Sequence, residues 1–161
     1  MNKLVPCLWL DDQAEEAAAF YQKVFKSARV RGIVRYGKAG QEVTGKKPGS
    51  VMTVDLELEG QHFVLLNGGP QFKFSEAISF IVQCKDQKEV DRYWAKLTEG
   101  GEPGPCGWLK DRYGVSWQIV PRDLRKLMAG KDAQGGARAM NAMLKMTKLD
   151  IAALKRAYKG K

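Results

Sequence analysis

The chain has 161 residues, of which 44% are hydrophobic and 28% charged, with 17 Gly, six Pro and three Cys. That composition is of an ordinary globular protein, sized for one domain or for two small halves sharing a core. No apolar run approaches the ~20 residues that span a bilayer, so a membrane span is excluded and no membrane partner is expected.

The first residues, MNKLVPCLWLDD, lack the apolar region and small-residue cleavage site of a signal peptide, and a cytoplasmic location is expected. Cys7, Cys84 and Cys106 are odd in number and widely spaced, which supports neither a disulfide framework nor a CxxC metal knuckle. The formal net charge of +9 is unevenly placed: residues 1–121 sum to +1 and residues 122–161 to +8. A nucleic-acid binder would spread cations and stacking aromatics over its main face, so nucleic acid is not an expected partner, and a solvated helix face explains the basic tail.

In chain order, residues 4–10 (LVPCLWL) read as a buried strand ended by Asp11 and Asp12. Asp12 and Glu15 have the spacing of a capping box, and Ala17, Phe20, Tyr21 and Val24 recur as the buried stripe of a helix. Residues 30–36, 51–58 and 61–66 read as three strands. Met52, Val54, Leu56 and Leu58 alternate with more polar neighbours, and Glu59–Gly60 makes a hairpin turn.

The pattern restarts at residue 77. AISFIVQC (77–84) is a strand, Asp86 and Glu89 repeat the cap, and Val90, Tyr93, Trp94 and Leu97 repeat the stripe until Gly100 and Gly101 stop it. A strand near Trp108 and another at 115–120 follow, with Asp111–Gly114 as the turn between them. Two βαβββ copies in about 120 residues cannot each bury a helix and a sheet face alone, so they are expected to share one structure. Each helix would cover one sheet face and leave the opposite faces to curve around a cleft. Beyond them, Asp123 caps a short helix ending near Gly130, a second helix runs from about 136 to 147 with Met140, Met143 and Leu144 on one face, and a third begins at Asp150. Leu149 and Leu154 are placed as the hydrophobic staple of that third helix. The expected organisation is 1–122 as one domain, with modules at about 1–70 and 75–122, and 123–161 as a basic helical extension.

The doubled βαβββ pattern, with D-x-x-E ahead of F-Y or Y-W and a D-x-x-G turn before the last strand, resembles the vicinal oxygen chelate superfamily of glyoxalase I, bleomycin-resistance proteins and extradiol dioxygenases. The segments DDQAEEAAAFYQKVF, LNGGPQFKFSEAISFIVQC, EVDRYWAKL and CGWLKDRYGVSWQIVP resemble its PhnB-like group, labelled 3-demethylubiquinone-9 3-methyltransferase domain. The resemblance covers essentially residues 1–160, including the KLDIAALKRAYKG ending. It implies an α+β fold of two βαβββ modules sharing a cleft, glyoxalase/bleomycin-resistance-like, and pairing as a homodimer.

Superfamily enzymes hold a divalent metal through His and Glu or Gln in the first and last strand of each copy. Counting from the helix aromatics and turn glycines puts those stations at Pro6, Val64, Ser79 and Gln118, with Cys7 in place of Pro6 if the register slips by one. Only Gln118 is of the usual ligand type, and the chain has one histidine. No metal and no other cofactor is therefore expected.

His62, two before Val64, shares its strand face and could transfer a proton, although a partly exposed strand-end residue is the plainer expectation. The cysteines lack a cue for activation and read as small buried hydrophobes. Trp94 and Trp117 read as core, whereas Trp108 is the best cleft candidate. Methyl transfer on the common dinucleotide-type scaffold needs a strand, a Gly-rich turn and a helix early in the chain, and neither that nor a phosphate loop at GKKPGS (45–50) is present.

The expected function is binding of a small organic molecule in the cleft, with Gln118 and Ser79 as polar contacts and Pro6, Val64 and Trp108 as apolar walls. The catalytic residues, if any, are not identifiable. Alternatives are a lyase, isomerase or transferase with an atypical site, or a module that sequesters a drug or metabolite or binds a partner.

Overall fold

A computed structural model describes residues 3–161 of the chain. Residues 1 and 2, where the first expected module begins, lie outside the described residues. The chain divides into two compact units between Lys73 and Phe74, and the C-terminal helices belong to the second.

The first unit contains β1 (Cys7–Leu10), α1 (Ala14–Val24), β2 (Arg29–Arg35), a single-turn α2 (Gln41–Thr44), β3 (Val51–Leu58) and β4 (Gln61–Asn67). Its four strands lie in the order β1-β4-β3-β2, with β1 parallel to β4 and the other pairs antiparallel. Strand β1 is three residues shorter than the apolar run. Pro6 has no N–H to give a ladder, and although its carbonyl accepts from Val64 N, Leu4 and Val5 before it are exposed. The stripe Ala17, Phe20, Tyr21 and Val24 is buried, as are Val54, Leu56, Phe63 and Leu65 of β3 and β4, on which α1 packs. Full burial of residues such as Tyr21, Leu56 and Leu65 stabilises the unit by ~1.5–3 kcal/mol each.

The cap of α1 corrects the expectation. Its N-cap is Gln13, and no side chain of the N-cap bonds to the helix. The orphan N–H of Ala14 instead donates to Oδ1 of Asn67 at 2.8 Å, and Nδ2 of Asn67 donates to the Val51 carbonyl at 3.1 Å. A residue 53 positions away therefore does the work of a local cap, while the Asp12 carboxylate pairs with Lys46. The GKKPGS segment leads into β3, and the β3–β4 hairpin turns through Glu59 and Gly60, both at positive φ as a two-residue hairpin requires.

The second unit repeats the plan. It contains β5 (Phe80–Cys84), α3 (Gln87–Leu97), β6 (Glu102–Pro103), β7 (Trp108–Lys110) and β8 (Ser116–Pro121). The order is β5-β8-β7-β6, again with the first strand parallel to the last. Here the cap is as expected in outline: Asp86 Oδ1 accepts from Glu89 N at 2.9 Å, and the Glu89 carboxylate reaches back to accept from Lys85 N at 2.9 Å. Val90, Tyr93 and Leu97 are buried, but Trp94 is half-buried and not core. Strand β5 starts at Phe80, because Ile78 is 74% exposed and carries no ladder partner. Strand β6, two residues long and ending in proline, has no alternation by which to be read.

The tail forms α4 (Leu124–Met128), α5 (Ala133–Met143) and α6 (Ile151–Tyr158). Asp123 bonds to Lys126 and gives α4 no side-chain cap. Helix α5 starts three residues earlier than expected, because Asp132 caps it by accepting from Gly135 N at 2.9 Å. Its inward face is Gly135, Gly136 and Ala139, and a Cβ on Gly136 would sit 2.8 Å from the Met128 carbonyl. Small residues let α5 approach α4, and this turns Met140 and Leu144 outward, Leu144 being 61% exposed. Asp150 caps α6 by accepting from Ala153 N, and Leu149 and Leu154 are both fully buried, as a staple demands.

Candidate functional site

In β8 the strand alternation decides which side chains meet α3. Trp117 and Ile119 are buried on the helix side, so Ser116 and Gln118 point to the opposite face. Cross-strand partners share a face, which places Trp108 beside Gln118, Lys110 beside Ser116, and Ile81 beside Gln118 on the other flank. Next to this open face is a pocket of about 410 Å³ walled by Trp108, Pro103, Pro105 and Ser116, with Glu76 and Glu102 at its polar side.

Ser116 is 2% exposed, and its Oγ is the one buried side-chain polar atom among the described residues with no hydrogen-bond partner. An unpartnered buried hydroxyl costs ~1–3 kcal/mol, so it marks a place where a partner is wanting. At the polar side, Lys110 Nζ pairs with Glu76 Oε1 at 2.6 Å. The hydrogen bond from Lys110 lowers the Glu76 carboxyl below its ordinary range, and the same bond raises the Lys110 ammonium, with Glu102 adding a Coulombic pull.

The turn that feeds β8 is built on Asp111. This buried carboxylate accepts from Tyr113 N (2.9 Å) and Val115 N (3.1 Å) on Oδ1 and from Trp117 Nε1 (2.8 Å) on Oδ2. It fixes the start of β8, and so the height of Ser116 and Gln118 on the open face.

The five residues singled out from sequence fall into two groups. Ser79, Trp108 and Gln118 belong to the second unit, where Gln118 Nε2 donates to Ser79 Oγ at 2.9 Å and Trp108 stands opposite Gln118. Pro6 and Val64 belong to the first unit, joined by the Val64 N–H donating to the Pro6 carbonyl at 2.9 Å, with Cys7 in register with Val64. Trp108 alone of the five lines the pocket. Sequence reasoning missed Ser116, Glu76 and Glu102. The signal for Ser116 was available, since a small polar residue one place before a buried Trp must face away from the helix.

On the open face of the first sheet, His62 is half-exposed, 3.5 Å from Glu57 Oε2, and Glu57 accepts two bonds from Arg31. Arg31 holds the Glu57 carboxyl below its ordinary range. Cys7 is exposed and Cys106 half-exposed, so of the three thiols only Cys84 is a buried hydrophobe, pushed up by burial to about 12. Two other tryptophans have indole partners elsewhere: Trp9 donates to the Gly69 carbonyl and Trp117 to Asp111. Among the described residues, no three His, Cys, Asp or Glu side chains gather as a metal cluster, and no helix is long and apolar enough to cross a membrane.

The fold has clear relatives. A PhnB protein from Bacillus cereus, described as a 3-demethylubiquinone-9 3-methyltransferase, is 31% identical with a TM-score of 0.63, over 74% of this chain and 99% of its own. Protein PA1353 from Pseudomonas aeruginosa is 17% identical with a TM-score of 0.59, over 75% of this chain and 98% of its own. The fosfomycin resistance protein FosX from Listeria monocytogenes, complexed with Mn(II) and sulfate, is 16% identical with a TM-score of 0.52, over 78% of this chain and 93% of its own. No curated protein matches the chain. The family model for 3-demethylubiquinone-9 3-methyltransferase matches residues 2–120. That match stops short of the C-terminal helices, so the resemblance expected through residue 160 is not carried by it. With both βαβββ units in place and the match spanning them, the chain belongs to the 3-demethylubiquinone-9 3-methyltransferase (PhnB-like) family of the vicinal oxygen chelate superfamily.

Proposed function

We propose that this chain binds a small organic molecule in the pocket beside Trp108, and does so without a divalent metal. The observation that carries the reading is the buried Ser116 hydroxyl, left without a partner on the pocket's edge beside an aromatic wall. Sites for small molecules combine apolar lining with a few polar groups in this way.

The metal part of the reading rests on donor chemistry. FosX holds Mn(II), but the stations to which the resemblance would assign ligands here are Pro6 or Cys7, Val64, Ser79 and Gln118. Proline and valine side chains offer no lone pair, and the serine hydroxyl is engaged by the Gln118 amide. This donor set does not fit a divalent ion. Nor does the family's description as a methyltransferase find support in the connections after β1 and β5. Asp11–Asp12–Gln13 and Lys85–Asp86 contain no glycine to bring backbone N–H groups against a nucleotide cofactor.

The test is ligand-observed NMR with a set of aromatic fragments against protein dialysed from chelator. Fragments should bind without metal, and Trp108→Ala should weaken them about tenfold or more with unchanged far-ultraviolet circular dichroism. Binding that appears only on adding Mn²⁺ or Zn²⁺, or that ignores Trp108→Ala, would refute the reading.

We infer further that the chain pairs with a second copy. Edge strand β2 exposes Val30, Ile33 and Val34, and β5, also an edge, exposes Ile81. Exposed apolar side chains on sheet edges are what association covers. Sedimentation equilibrium should give twice the mass of the 18.0 kDa chain, and a monomer at micromolar concentration would contradict this.

A further inference from the structure

The charge around the pocket narrows the class of ligand, and the argument rests on the reading that the pocket beside Trp108 is the binding site. The charged groups lining it are Glu76, Glu102 and Lys110. Lys110 is bonded to Glu76 at 2.6 Å and lies in register with Glu102 across the β6–β7 pair, so the pocket has two carboxylates to one ammonium, and that ammonium is bonded to Glu76. The rim therefore carries an excess negative charge. The walls are Trp108, Pro103 and Pro105, which offer apolar surface and one indole ring. A ring face and an uncompensated carboxylate attract the same kind of group, a cation. An anion approaching Lys110 would meet repulsion from Glu102 and from the Glu76 carboxylate already bonded to that ammonium. Inside, the Ser116 hydroxyl can accept or donate one hydrogen bond.

We propose that the pocket takes an organic cation: a flat apolar body that lies against Trp108, with a protonated amine directed to Glu76 and Glu102 and a polar atom for Ser116. This differs from what an anionic phosphonate or carboxylate would require.

The experiment is isothermal titration with three probes of one shape, 2-naphthylmethylammonium, 2-naphthylmethanol and 2-naphthoate, at low salt. The ammonium should bind about tenfold or more tightly than the alcohol, and the carboxylate weakest. In the Glu76→Gln/Glu102→Gln variant, whose changes lie at exposed positions, the ammonium and alcohol should come within about threefold, whereas Lys110→Gln should strengthen the ammonium. If the alcohol or carboxylate binds as well as the ammonium, and all are weakened by Trp108→Ala, the cation assignment is wrong and the pocket stands. If none binds, or if Trp108→Ala changes nothing, the pocket itself is refuted and the cation assignment falls with it.

Discussion

Asp111→Asn should lower the unfolding free energy by about 2–4 kcal/mol, although it replaces a single oxygen by nitrogen. Asp111 is 2% exposed, and both carboxylate oxygens face donors: two backbone N–H groups on one side and the Trp117 indole N–H on the other. An asparagine satisfies one side only. With its carbonyl toward Tyr113 and Val115, its NH₂ confronts the indole N–H; flipped, it confronts both backbone donors. Charge-assisted bonds are also lost, and these are about twice as strong as neutral ones. Urea unfolding followed by tryptophan fluorescence would measure the loss. Trp117→Phe should cost less in the Asp111→Asn background than in the wild type, because the indole–carboxylate bond is already gone. A change below about 0.5 kcal/mol would show that the turn is not held by this carboxylate.

Leu149→Ala is the second large effect expected, about 2–5 kcal/mol, from a cavity at a side chain with no exposure. The position is also where the tail is fastened. Cys106 N and Gly107 N donate to the Met146 and Thr147 carbonyls at 2.7 Å, and the Gln87 side chain donates to the Leu149 carbonyl while accepting from Ile151 N. Lys148 adds an ion pair to Asp91 on α3. Because Gly107 begins the approach to β7, loosening the tail should loosen the strand that carries Trp108. Hydrogen exchange of Leu149→Ala should therefore show faster exchange at Gly107 and Trp108 as well as in α6, while α1 is unchanged. Protection lost in α6 alone would mean the tail is an independent appendage.

The second effect bears on the basic C-terminus, read from sequence as a solvated helix face. Eleven basic against three acidic side chains in residues 122–161 give this segment nearly all of the chain's charge excess. In the fold its main property is attachment: backbone donors of the 106–107 loop and both ends of the Gln87 amide are spent on it. Charge counting could not reveal this, because the bonds run to main-chain carbonyls that every residue type carries.

What was legible elsewhere follows the same division between periodic and non-periodic information. The alternation in 51–58 and the stripes Ala17–Val24 and Val90–Leu97 located β3, α1 and α3, because burial imposes a period on a sequence. The repeat itself was visible through the matched D-x-x-E spacings and the aromatics that follow them. The capping of α1 was not, because its partner Asn67 lies across the sheet, and no local pattern specifies a long-range hydrogen bond. The packed face of α5 is hidden from the sequence for a related reason. Met140, Met143 and Leu144 have the spacing of a buried stripe, but Gly135, Gly136 and Ala139 allow a closer helix–helix approach and won the interface. For the candidate site, Gln118, Ser79, Pro6, Val64 and Trp108 were expected around one cleft, and of these Trp108 lines the pocket; Glu76 lies in the connection between β4 and β5 and Glu102 sits in a two-residue strand, so neither had a period from which its direction could be inferred.

A crystal structure of the full chain with 2-naphthylmethylammonium bound, refined alongside the Trp108→Ala protein treated identically, tests the central claim most directly. The expected result is density for the naphthyl ring against the Trp108 indole, with a ligand or water atom within hydrogen-bonding distance of Ser116 Oγ, and none in the variant. Density at another site, or an unaltered Ser116 hydroxyl beside an empty pocket at saturating probe, would contradict it.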